Sequence, residues 1–188
     1  MFNIKDMLEQ YAHIKAIYAL TSTPSKSYSL RELAAKAGIS PGASKQALDY
    51  MRQQGMVNLT VVGRSHLHKA NLESALCRQW KILFNLEHIE KSGALKELIN
   101  RVGYAHAILL YGSFAQGTND EKSDIDLLVI TQKPEKIDLR FVKTFGREAN
   151  IMHMSLGEWK KKAMLDKIFY ENVIYDSIVL YGKRPVIT

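Results

Sequence analysis

Apolar side chains between Ile4 and about Leu20 fall at Ile4, Leu8, Tyr11, Ile14, Ile17 and Tyr18, the three-and-four spacing that puts one stripe on a helix. The run from Thr21 to Ser25, with Pro24 inside it, breaks the pattern. A second, short helix is predicted from Leu30 through Leu33, Ala34 and Ala37. Ser29 and Glu32 are spaced as a capping box, and Gly38 is the stop. Ser40 then caps and Pro41 opens a third helix, with Ala47, Leu48 and Met51 facing inward until Gly55. Two alternating β-rich stretches, 56–62 and 65–70, flank Gly63-Arg64 and predict a hairpin. Helical spacing returns over 71–90, with Leu72, Leu76, Trp80, Leu83 and Leu86 on one side, and again over 94–102. The period then changes. Strands are predicted over 107–111, 125–130, 149–154 and 178–181, and helices over 136–145, 156–165 (Ser155 and Glu158 as its capping box) and 170–176.

The fold class expected is α+β: helices and a hairpin first, then a small mixed-sheet α/β part. The expected domains are 1–75 and 94–188, joined by a linking helix over 76–93, since no Gly/Ser- or Pro-rich spacer lies between them. Three helices and a hairpin, with Gly-Ile-Ser between the second and third helices, make a winged helix-turn-helix pattern. SLRELAAKAGISPGASKQALDYMRQQGMV and the following VVGRSHLHKANLESAL resemble winged helix-turn-helix domains of the transcription-regulator type. That resemblance implies duplex DNA as a partner, with two copies on paired half-sites as one arrangement. Ser40, Lys45 and Gln46 at the reading helix and Arg64 and Lys69 on the wing are the expected contacts. The other outward positions of that helix, Gly42, Ala43 and Asp49, offer little reach to base edges, so a docking or dimerising role stands beside DNA binding.

Charge agrees with this division. Of 188 residues, 26 are Lys or Arg and 19 Asp or Glu, and residues 1–80 hold 10 of the basic against 5 of the acidic ones. A basic surplus on a small domain favours polyanions through counterion release. The single cysteine, Cys77, excludes an internal disulfide framework and a multi-cysteine zinc site. No apolar run reaches the length of a membrane span, and MFNIKDMLEQY lacks a cationic stretch followed by an apolar one, so a cytoplasmic protein without membrane attachment is expected.

Candidate chemistry concentrates in LLYGSFAQGTNDEKSDIDLLVI. Gly112-Ser113 follows a predicted strand directly, and Ser123, Asp124 and Asp126 stand at the head of the next. Residues i and i+2 of a strand share a face, so the two carboxylates lie side by side, an arrangement that makes sense when cations sit between them. Hard oxygen ligands imply Mg²⁺ or Mn²⁺. Gly112 admits a ligand close to the backbone, and Ser113 with the amides that follow can hold phosphate. This constellation resembles the nucleotidyltransferases of the DNA polymerase beta superfamily, and FGREANIMHMSLGEW and IVLYG extend the likeness to about 95–182. The resemblance implies an NTP substrate, with Gly112, Ser113 and Ser123 at the nucleotide and Asp124 and Asp126 holding two cations, one of them shared with Glu148. It also implies a third acidic ligand, expected at Glu148, with Asn150 on the same strand face. The alternative for Glu148 is a pairing with Arg147 or a strand cap. Gln116 departs from the family, where many relatives carry Arg.

The function expected is metal-dependent transfer of an NMP from an NTP to a hydroxyl of a protein, an RNA or a small molecule. The rival is a non-catalytic DNA-binding regulator that keeps the second fold as a nucleotide sensor or docking module. His66 and His68 are expected to face solvent or DNA phosphate, His106 and His153 to be packing or surface residues, and Trp80 and Trp159 to anchor cores.

Overall fold

The computed structural model describes residues 11–132 and 147–187. Ile4 and Leu8 of the first expected helix, and the whole helix expected over 136–145, lie outside the described residues. The chain divides into two compact units, Met1–Phe84 and Asn85–Thr188. No helix among the described residues is long and apolar enough to cross a membrane.

In the first unit, helix α1 (Ala12–Thr21) precedes a two-residue strand β1 (Ser27–Tyr28), α2 (Leu30–Ala37), α3 (Pro41–Gln53) and the hairpin β2 (Val57–Val62) and β3 (Ser65–Ala70). The caps read from the sequence form: Ser29 accepts from the Glu32 amide while the Glu32 carboxylate takes the Ser29 N–H, and Ser40 accepts from the Ala43 amide. Burying Ile17, Leu20, Leu33, Ala47, Leu48 and Met51 against one another joins the three helices. In the hairpin turn Gly63 has φ +58° and Arg64 no positive φ, as a type II′ turn requires.

Two expectations change here. β1, too short to register as a pattern, pairs antiparallel with β3 and sets Tyr28 opposite His68. His68 is therefore buried, its Nδ1 3.3 Å from the Tyr28 carbonyl, while His66 on the same strand stays exposed. Burial pushes the His68 pKa down. The long helix α4 (Ala75–Lys91) starts four residues later than the spacing implied. Asn71 is occupied in ending the hairpin: its amide donates to the Gly55 carbonyl and its Oδ1 accepts from the Glu73 N–H. The helix consequently buries Cys77 and Phe84, leaves Trp80 partly buried, and turns Leu76 and Leu83 outward at 40% and 42% exposure.

The second unit contains the end of α4, helix α5 (Ala94–Val102), β4 (Ala105–Tyr111), the short α6 (Gly112–Gln116), β5 (Ile125–Thr131), β6 (Ala149–Met154), α7 (Leu156–Leu165), α8 (Lys167–Asp176) and β7 (Ile178–Gly182). The sheet order is β6-β5-β4-β7, with β5 and β6 parallel and the other pairs antiparallel. Both faces are covered, which is why β4 and β5 read as continuous apolar runs. Ile108, Leu110, Leu127 and Val129 pack with Ile89, Leu98 and Phe114 on one side. Ala107, Leu109, Leu128 and Ile130 pack with Trp159 and Val173 on the other. Trp159 is fully buried and its indole N–H donates to the Pro185 carbonyl at 2.7 Å.

Candidate active site

The chain leaves β4 at Tyr111 and turns into α6 through Gly112, whose φ of +70° only glycine adopts without strain. A Cβ built on Gly112 would stand 2.6 Å from Oδ2 of Asp126, so the missing side chain is what lets the carboxylate sit against this turn. Antiparallel pairing of Tyr111 with Asp126 brings the two together. Burial, and then the Asp126 charge, raise the Tyr111 pKa.

Five residues of helix suffice to reverse the chain. The Ser113 carbonyl accepts from the Thr118 and Asn119 amides, and the buried Asn119 exchanges hydrogen bonds with Asn85, which also donates to the Phe114 carbonyl at 2.9 Å. The loop into β5 is held by its own side chains. Asp120 Oδ1 accepts from the Lys122 N–H and from the Ser123 hydroxyl, and Ser123 Oγ accepts from the Asp120 N–H, all at 2.9 Å. These bonds keep the Asp120 carboxyl below its usual range. Ser123, expected at the nucleotide, thus spends its hydroxyl on the loop. Arg147 clamps the same loop from outside, donating through Nη1 to the carbonyls of Asp120, Glu121 and Ser123 and lying over the Phe114 ring.

Asp124 and Asp126, both partly buried, follow at the head of β5. The parallel register sets Asp126 beside Asn150, and the Asn150 amide donates to Asp124 Oδ2 at 3.4 Å and to Asp126 Oδ1 at 3.2 Å. Glu148 is exposed, stands one residue ahead of β6 and gives its carbonyl to the Ile125 N–H. It is not brought to the pair: among the described residues no three His, Cys, Asp or Glu side chains come together as a metal-binding group. Gln116, where many relatives of the resemblance carry Arg, donates to Asp176. The Asn85–Asn119 pair had no role in the sequence reading, Arg147 only that of a partner for Glu148, and Asn150 only that of the residue sharing its face; all act through partners at least 24 positions away.

The donor set suits a hard divalent cation. Mg²⁺ is commonly held by one or two carboxylates completed by phosphate oxygens and water, and here two carboxylates lie side by side with a side-chain-free turn against one of them.

In the first unit, Lys45 and Arg52 of α3 and Arg64 and His66 of the hairpin line a cleft of about 620 Å³, with Arg31 at the start of α2. Asp49 contributes a carboxylate to it. Ser40, Gln46 and Lys69 are exposed outside that cleft, Ser40 serving as the cap of α3.

Residues 94–185 match the family described as polymerase beta, nucleotidyltransferase. No curated protein matches the chain. Three solved structures are distant likenesses. A toxin–antitoxin crystal structure with AMP-PNP is 17% identical over 50% of this chain and 74% of its own, with a TM-score of 0.38. A Sulfolobus solfataricus protein described as a nucleotidyltransferase is 14% identical over 55% and 88%, at 0.33. TrmBL2, an archaeal chromatin protein with a novel mode of DNA binding, is 14% identical over 89% and 76%, at 0.31. The family match covers the stretch that carries Gly112, Asp124, Asp126 and Asn150, and what the chain holds over residues 94–185 is a polymerase beta-type nucleotidyltransferase domain.

Proposed function

We propose that the second unit transfers an NMP from an NTP to a hydroxyl acceptor with the help of a divalent cation, Mg²⁺ or Mn²⁺. The observation that carries this reading is the pair Asp124 and Asp126, set side by side against the Cβ-free turn at Gly112 inside a domain of this family. Asp124 and Asp126 are the ligands, and Gly112 with Ser113 lines the phosphates. The cation, when bound, neutralises triphosphate charge and draws electrons from the phosphorus under attack. The residues of the chain do the positioning. Gly112 keeps space beside Asp126, Arg147 and Ser123 fix the loop that delivers Asp124, and the acceptor oxygen bonds to the α-phosphorus as the bond to pyrophosphate breaks in line. The acceptor proton leaves to solvent.

The test is incubation with each α-³²P-labelled NTP, Mg²⁺ and cell lysate, followed by a gel. Label should move to a protein, an RNA or a small molecule with the wild type and stay in the NTP with the double variant Asp124→Asn/Asp126→Asn. If the double variant still transfers label and is still stabilised by Mg-NTP, the assignment is wrong.

For the first unit the reading is a winged helix-turn-helix that holds duplex DNA mainly by its phosphates. In support stand the exposed Lys45, Gln46, Arg64 and Lys69 and the basic residues around the cleft between α3 and the hairpin. Arg64→Ala/Lys69→Ala should lower the salt slope of binding by about 2, roughly one per phosphate contact. A gel shift of the full chain over a salt series checks it, and no retardation of any duplex at ~50 mM salt, where phosphate-driven binding is strong, would leave this unit as a docking module.

A further inference from the structure

We propose that the candidate active site is built for a single divalent cation, and that Asn150 stands in for a second. The inference rests on the nucleotidyl-transfer reading above and concerns how this chain departs from a three-carboxylate site.

A side-chain amide carries two N–H donors on one nitrogen, and an ionised carboxylate only accepts. Asn150 lies on β6 at the register position of Asp126, and its Nδ2 lies within hydrogen-bond reach of one oxygen of Asp124 and one of Asp126. Flipping the amide would turn its oxygen toward two acceptor-only groups, so the network itself fixes the orientation. The nitrogen, the positive end of the amide dipole, thus bridges the two carboxylates from the β6 side.

Each carboxylate offers about four lone-pair directions. The amide consumes one on each aspartate, on the side facing β6. Asp126 Oδ2 takes no part in that bridge and stands against the Gly112 turn, where a Cβ would come within 2.6 Å of it. Two carboxylates completed by phosphate oxygens and water are a usual ligand set for one such cation, arriving with the triphosphate. A second ion would need another anionic ligand across from the pair, and among the described residues no third carboxylate joins it. Glu148 is exposed and outside β6. The structure therefore assigns Asn150 the role of a fixed, neutral bridge that holds Asp124 and Asp126 together before any ion binds.

Manganese counting tests this without relying on turnover. The full-length chain is dialysed against Mn²⁺ and the four α,β-methylene NTP analogues, bound Mn²⁺ is counted per chain, and the electron paramagnetic resonance spectrum is recorded. The wild type should retain one Mn²⁺ with the six-line spectrum of an isolated ion. Asn150→Asp should retain two, with an exchange-coupled spectrum, and Glu148→Gln should stay at one. Two ions on the wild type, one on a folded Asn150→Asp, or loss of the ion in Glu148→Gln would each overturn the proposal. No Mn²⁺ on the wild type at all would instead overturn the nucleotidyl-transfer reading on which it rests. Should Asn150→Asp fail to fold by circular dichroism, the wild-type and Glu148→Gln counts still decide.

Discussion

Replacing Gly112 by alanine should strip the site of nucleotide while leaving the second unit folded. Two costs are built into the structure. The backbone at this position has φ +70°, a conformation that costs an L-residue about 1–2 kcal/mol. The new Cβ would also fall 2.6 Å from Asp126 Oδ2, where ordinary contact begins at 3.4 Å, so the carboxylate must retreat by about 0.8 Å. Asp126 is a side chain and can swing, so the clash is relieved at the expense of the site rather than of the fold. A displacement of about 1 Å in a reacting constellation commonly costs 10²-fold in rate, and a loss of about that size in label transfer is expected. The melting temperature of the second unit should fall by about 4–8 °C for each kcal/mol of strain, the scale for a unit of roughly a hundred residues. Melts with and without Mg-NTP should show the nucleotide-dependent stabilisation gone. Repeating the substitution in an Asp126→Ala background separates the two costs, because only the backbone strain remains there. Equal destabilisation in both backgrounds, together with an undiminished response to Mg-NTP, would refute the argument.

Arg147→Met should release the loop that carries Asp120 to Ser123. Losing charge-assisted bonds worth about 1.5–3 kcal/mol implies Mg-NTP affinity roughly 10- to 100-fold weaker by calorimetry, and Arg147→Lys should recover little of it because one ammonium cannot also lie flat over Phe114. Acid should destabilise the second unit through His153, whose two ring nitrogens are buried without partners and whose pKa is lowered from 6.5 by burial. The unfolded chain takes up that proton first, so this stability is complete above about 6.5 and lost as pH falls below it; His153→Leu should flatten the difference in urea midpoint between pH 8 and pH 5.

What could be read from the sequence was whatever is decided within a few residues. The capping boxes at Ser29 and Ser155 and the Ser40-Pro41 start involve positions three apart, and all form. The strand pair around Gly112 and Asp126 was legible because glycine, carboxylate spacing and an apolar run coincide in a single stretch. β1 escaped notice because two residues carry no period, and with it went the burial of His68. The start of α4 was misplaced because Asn71 serves the hairpin through Gly55, sixteen positions back, a bond that no helical periodicity records.

The third position of the site shows the limit of pattern reading most clearly. Glu148 and Asn150 are two residues apart, so strand alternation assigns both to one face and cannot choose between them. The choice is made by the pairing of β5 with β6. Ile125 takes the Glu148 carbonyl and pairs with Ala149, which sets Asp126 beside Asn150 and leaves Glu148 outside the strand. A shift of the register by two residues would keep every apolar side chain on its face and bring a carboxylate to the aspartates instead of an amide. The residue that meets the two carboxylates therefore depends on the ladder itself, and the chemistry available to the site was written in a contact spanning 24 positions rather than in the motif that announced it.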